Sequence, residues 1–73
     1  MMTSNDVAGM RYDEVGRLLT VVFRDGIVER YFDVPPSEWA ACEVSFSKAA
    51  YLNSVLRLRG YRMESARWVR LAA

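Results

Sequence analysis

The chain contains no histidine, a single cysteine (Cys42), two prolines and four glycines. Without histidine it lacks the commonest metal ligand, and one thiol with scattered carboxylates is too poor a donor set for a structural zinc site. A lone cysteine excludes an internal disulfide and suits a reducing compartment, so the expected location is the cytoplasm. The residues Met1-Met2-Thr3-Ser4-Asn5-Asp6 carry neither the basic nor the apolar region of a signal peptide. No apolar run approaches the ~20 residues that span a bilayer, so neither export nor a membrane is expected. Histidine-based catalysis, a Ser-His-Asp arrangement and a glycine-rich phosphate loop are all missing from the sequence, and the expectation is a protein that is not an enzyme and carries no cofactor.

What is present is the composition of a folded domain: 73 residues, 52% apolar and 26% charged. That size allows one core, so residues 1–73 are read as a single domain with its core over roughly 7–63. A core this small supplies only about 3–5 kcal/mol, and with disulfide and metal set aside, self-association as a homodimer is the remaining source of extra stability. The net charge of +1 hides a division between the halves. Residues 1–46 hold four arginines against eight carboxylates, whereas residues 47–73 hold six basic side chains against Glu64 alone. Either the C-terminal part faces an anion or the two halves attract each other across the fold.

The pattern along the chain predicts three strands and then two helices. Residues 7–12 form a first short strand before the turn at Asp13-Glu14-Val15-Gly16. Leu18-Leu19-Thr20-Val21-Val22-Phe23 and Ile27-Val28-Glu29-Arg30-Tyr31-Phe32 flank Asp25-Gly26, a strong hairpin signal. A two-residue turn pairs Phe23 with Val28, and a turn with Gly26 as a bulge pairs Phe23 with Ile27; both use the same dipeptide. In either register Leu19, Val21 and Phe23 share the core face, because side chains alternate along a strand. Pro35-Pro36 ends the sheet and opens a short helix over 37–42. A second helix begins at the N-cap Ser47, carries an apolar stripe of Tyr51, Leu52, Val55 and Leu58, and stops at Gly60. Tyr61-Arg62-Met63 can return as a brief fourth strand, with 64–71 a further helix or an extended tail. The expected fold is α+β, a three-stranded antiparallel meander followed by two short helices.

In order and spacing, Tyr12-Asp13, Leu19-x-Val21-x-Phe23, Asp25-Gly26, Tyr31-Phe32-Asp33-Val34-Pro35, Ser47-Lys48 and Tyr51-Leu52-Asn53 resemble the KTSC domain. That domain stands at the C-terminus of some lysyl-tRNA synthetases and alone as small bacterial proteins. The resemblance covers roughly residues 7–63, with Glu29 where the family has the first aromatic of a Tyr-x-Tyr and Ala49 where it has a glycine. It implies no enzymatic activity, and its neighbourhood implies RNA as a partner.

Two surfaces are candidates for function. Arg57, Arg59 and Arg62 surround Tyr61, and with Lys48 and Tyr31 they make a basic and aromatic set of the kind that meets phosphates and bases of single-stranded nucleic acid. Trp39, Trp68, Leu18, Val22 and Phe32 are more large apolar side chains than one small core hides, and a sheet-to-sheet or edge-to-edge dimer through Leu18, Val22 and Trp68 would cover the excess. Ser45-Phe46-Ser47-Lys48 matches a Ser-x-x-Lys nucleophile motif in form, but Ser47 is better read as a cap and Lys48 as a solvated charge. Cys42, flanked by apolar residues, is read as a buried and unreactive thiol.

Overall fold

In the computed structural model, which describes residues 7–67, strand β1 (Val7–Asp13), β2 (Leu18–Phe23) and β3 (Ile27–Tyr31) form the antiparallel meander. Helix α1 (Pro36–Glu43) and helix α2 (Lys48–Tyr51) follow, and α2 runs on through a wider π-helical turn over Leu52–Leu56. The chain then returns as β4 (Met63–Arg67), antiparallel to β3, giving a four-stranded sheet in the order β1-β2-β3-β4. The α+β architecture expected from the sequence is therefore present, and the optional fourth strand is real. It lies over Met63–Arg67, two residues beyond the expected 61–63, so this stretch is neither helix nor tail.

The hairpin adopts the bulged register, with Leu19 opposite Tyr31 and Val21 opposite Glu29. Gly26 takes φ 94° and donates its N–H to Phe23 O at 3.0 Å, a conformation that a side chain at this position would strain. Leu19 and Val21 are fully buried, and Phe23 packs on the edge of the same cluster. Tyr31, Val34, Leu52 and Leu56 complete the core, which lies between one face of the sheet and the helices. Fully burying side chains of this size contributes about 1.5–3 kcal/mol each.

Local chemistry fixes the connections. Ser47 Oγ accepts the Ala50 N–H at 3.1 Å, as an N-cap should. Gly60 sits at φ 83°, where the helical segment turns towards β4. Tyr12 donates its hydroxyl to Val34 O at 2.6 Å and stacks on Trp39, ring centroids 5.7 Å apart, which ties β1 to the chain entering α1.

The expected apolar stripe needs one correction: Leu58 is 79% exposed and Leu56 is fully buried. The cause is the π-helical turn, in which the Arg57 N–H reaches back five residues to Leu52 O at 3.0 Å. More residues per turn shift the phase of everything after it, so Leu58 leaves the face it would occupy on a regular α-helix.

Candidate nucleic-acid interface

The arginines nominated from the sequence divide by what they touch. Arg57 leaves the end of the helical segment and sets Nη2 3.0 Å from both oxygens of Glu29, which is only 8% exposed on the core face of β3. The same carboxylate accepts the Tyr31 hydroxyl at 2.8 Å. Glu29, the family's aromatic position, thus serves as a buried anchor for a helix that would otherwise meet the sheet through apolar contacts alone. Burial, reinforced by the hydrogen bond to Glu29, pushes the Tyr31 hydroxyl up to about 12.

Arg59 and Tyr61 belong to a second anchor. Glu38 in the first turn of α1, also 8% exposed, accepts Arg59 Nε at 2.9 Å, the Tyr61 hydroxyl at 2.8 Å and the Tyr51 hydroxyl in a short contact. One carboxylate therefore joins α1, α2 and the segment that leads into β4. Burial by itself would raise the Glu38 carboxyl, but the hydrogen bonds from Tyr51 and Tyr61 and the charge of Arg59 together hold it below its ordinary value. Burial first, then the bond to Glu38, lifts Tyr61 to about 12.

Of the expected nucleic-acid set, Tyr31 is corrected outright: at 2% exposure its ring is core and no base can stack on it. The alternation of β3, once the bulged register is fixed, turns it inward. Arg57, Arg59 and Tyr61 are structural partners of Glu29 and Glu38, and Lys48 is exposed beside the N-cap of α2. Arg62 stands apart from these, with its guanidinium 4.1 Å from the centre of the Phe32 ring. Ser45 donates its hydroxyl to Cys42 O and Ser47 caps α2, so both serines of the Ser-x-x-Lys match are engaged by backbone. Cys42 is buried against Met10 Sδ at 3.7 Å, and burial raises its thiol.

The helices cover one face of the sheet and leave the other open. Alternation and register place Leu18, Thr20 and Val22 of β2, Val28 and Arg30 of β3, Arg11 of β1 and Glu64 and Ala66 of β4 on that open face. Phe32, bonded through its N–H to Arg62 O at 2.9 Å, extends the β3–β4 ladder and carries the Arg62 stack at one end. A concavity of about 430 Å³ lies in the middle, floored by Val22, Val28 and Ala66 and rimmed by Arg11, Arg30, Arg67 and Glu64. Leu18 and Val22, the expected interface residues, are on this face and half-buried; Trp68 lies outside the described residues. Sequence reasoning missed Arg11, Arg30 and Arg67, because a face opposite the core is visible only once the hairpin register is known.

Among the described residues no group of three or more histidine, cysteine or acidic side chains could hold a metal, and no helix is long and apolar enough to cross a membrane. The fold is that of a four-stranded antiparallel sheet backed on one side by helices, a small α+β domain with one sheet face uncovered. The chain belongs to the KTSC domain family, whose model matches residues 3–61. Among solved structures it is similar to the crystal structure of a KTSC domain protein from Yersinia pestis, at 20% identity over 89% of this chain and 90% of that chain, with a TM-score of 0.76. At that identity the likeness concerns the fold. No curated protein matches the chain. The residues that carry the family pattern are chiefly structural here: Tyr12 with Val34, Leu19 with Val21 and Tyr31, and Ser47 as cap.

Proposed function

We propose that this KTSC domain is a non-enzymatic, cytoplasmic binding module that holds a single strand of RNA along the open face of its sheet. The observation that supports it is the charge of that face: Arg11, Arg30 and Arg67 rim the concavity against Glu64 alone, and Arg62 rests on an aromatic ring at its end. Guanidinium groups around a shallow apolar floor suit phosphates outside and bases inside, with Phe32 and Arg62 offering planar surfaces for stacking. Arg57 and Arg59, being partnered by buried carboxylates, add to the positive field but not to the contact.

Homodimerisation through Leu18 and Val22 is the competing use of the same surface. It would bring two arginine-rimmed faces together, and like charges across an interface disfavour that arrangement.

A salt titration of binding to a labelled single-stranded RNA tests the proposal. Wild type should show a steep fall in affinity with salt, and Arg11→Ala/Arg30→Ala/Arg62→Ala should lose most of the affinity and the slope, since each phosphate contact contributes about −0.7 to the slope for single strands. Arg57→Lys/Arg59→Lys should retain both. Absence of binding in wild type, or loss in the second variant with retention in the first, would remove the proposal; a concentration-dependent dimer abolished by Leu18→Asp would favour the competing use.

A further inference from the structure

The rim of the concavity holds one acidic side chain, Glu64, and it stands directly opposite Arg30 in the β3–β4 ladder. Side chains directly opposite on antiparallel strands have Cβ atoms about 4.5–5.5 Å apart. Among the described residues the ion pairs are Arg57–Glu29 and Arg59–Glu38, so Glu64 is not consumed by Arg30 or by any other described cation. A carboxylate that only accepts hydrogen bonds thus sits beside a guanidinium that only donates them, both exposed at the edge of a concavity of about 430 Å³. That volume lies in the range of sites for a small ligand, roughly 300–1,000 Å³.

A carboxylate is an odd choice on a face for phosphates unless it recognises something else. On a nucleobase it can pair only with N–H groups. Uracil offers one such group between two carbonyl oxygens that would repel the carboxylate. Adenine and cytosine offer an amino group beside a ring nitrogen that is itself an acceptor. Guanine alone presents two adjacent donors, N1–H and the N2 amino group, and its O6 and N7 acceptors lie further along the same outline, where an arginine fork can reach them. Resting on the RNA reading above, we infer that Glu64 and Arg30 form a guanine-selective subsite, Glu64 accepting from N1–H and N2 and Arg30 donating to O6 and N7. The base lies over Val22 and Val28, with Arg11 and Arg67 at the flanking phosphates.

The test uses the full chain and labelled RNAs of equal length, all-uridine except for one central position occupied by G, C, A or U, with fluorescence anisotropy as the readout. The strand with G should bind about fivefold tighter or more than the all-uridine strand, the lower end of what one good bidentate base contact yields. Glu64→Gln keeps an exposed strand residue of the same shape but places an amide donor against a guanine donor. It should bring the G strand down to the others, while binding the all-uridine strand somewhat more tightly because a negative charge has left a phosphate-binding face. Equal affinity for all four strands in wild type, or a G preference that survives Glu64→Gln, overturns the subsite and leaves the RNA reading standing. No binding to any strand overturns both.

Discussion

Replacing Glu38 by alanine removes the acceptor on which three separate segments converge. Tyr51, Tyr61 and Arg59 all point at this carboxylate, and it is 8% exposed. Hydrogen bonds to a charged group contribute about 1.5–3 kcal/mol each, and an unpaired donor left half-buried costs a similar amount. Arg59 is more than half exposed, so water screens its share and it is left out of the sum. The two tyrosine bonds then set the expected loss at about 3–6 kcal/mol. A domain of this length has a stability of the order of 4–11 kcal/mol, so the loss is a large fraction of the whole, equivalent to a fall in Tm of roughly 20–40 °C. Urea unfolding followed by tryptophan fluorescence and circular dichroism measures it. Glu38→Gln loses the charge and keeps one acceptor oxygen, while the other becomes an amide donor that a tyrosine hydroxyl can accept by turning round, so it should cost about half as much. The pH dependence is a second readout. The Glu38 carboxyl lies below its ordinary value in the folded chain, so its contribution is present above the unfolded value of about 4.3 and disappears as pH falls through the folded one. The difference between wild type and Glu38→Gln should therefore shrink in acid. An alanine variant within about 0.5 kcal/mol of wild type, or a difference that persists unchanged at low pH, would refute the assignment of Glu38 as the anchor of the helical layer.

Stability should also fall at the alkaline end: Tyr31 and Tyr61 ionise near 12 in the folded chain but near 10 when unfolded, so the unfolded state loses its protons first and folding weakens between those values. Tyrosinate absorbance and thermal melts across that window should move together, and Tyr61→Phe should flatten part of the slope. Arg57→Ala leaves Glu29 buried with Tyr31 as its remaining partner, and a loss of about 1–3 kcal/mol in denaturant is expected, largely recovered by Glu29→Gln in the same chain. Leu56→Ala should cost about 2–5 kcal/mol by opening the core, whereas Leu58→Ser should be neutral within about 0.5 kcal/mol, a contrast that equilibrium unfolding of the two variants checks directly.

The hairpin and the core trio could be read from the chain because β-branched and aromatic residues flank an Asp-Gly turn, and the caps Ser47 and Gly60 announce themselves chemically. The register could not, since both turns use the same dipeptide; tertiary packing, with Tyr31 inside and Glu29 anchored to Arg57, selects between them. Strand β4 reads Met-Glu-Ser-Ala-Arg, exposed throughout, with no alternation to mark it; its ladder with β3 makes it a strand. Carboxylates are ordinarily surface groups, so nothing local marks Glu29 or Glu38 as buried, and their partners lie 28 and 21 positions away. The same distance hides how the arginines divide. A cluster of arginines near Tyr61 looks like a basic patch until the fold shows that two of them are held by buried acids, and that Arg11 and Arg30, far apart in sequence, share the open face of the sheet, with Arg67 reaching the rim of its concavity.

The most direct measurement is an NMR titration of the backbone amides with a single-stranded RNA carrying one guanosine. Shifts concentrated at Arg11, Thr20, Val22, Val28, Arg30 and Glu64 are the expected result. Shifts confined to Lys48 and the segment from Arg57 to Gly60, with the open sheet face silent, would contradict it.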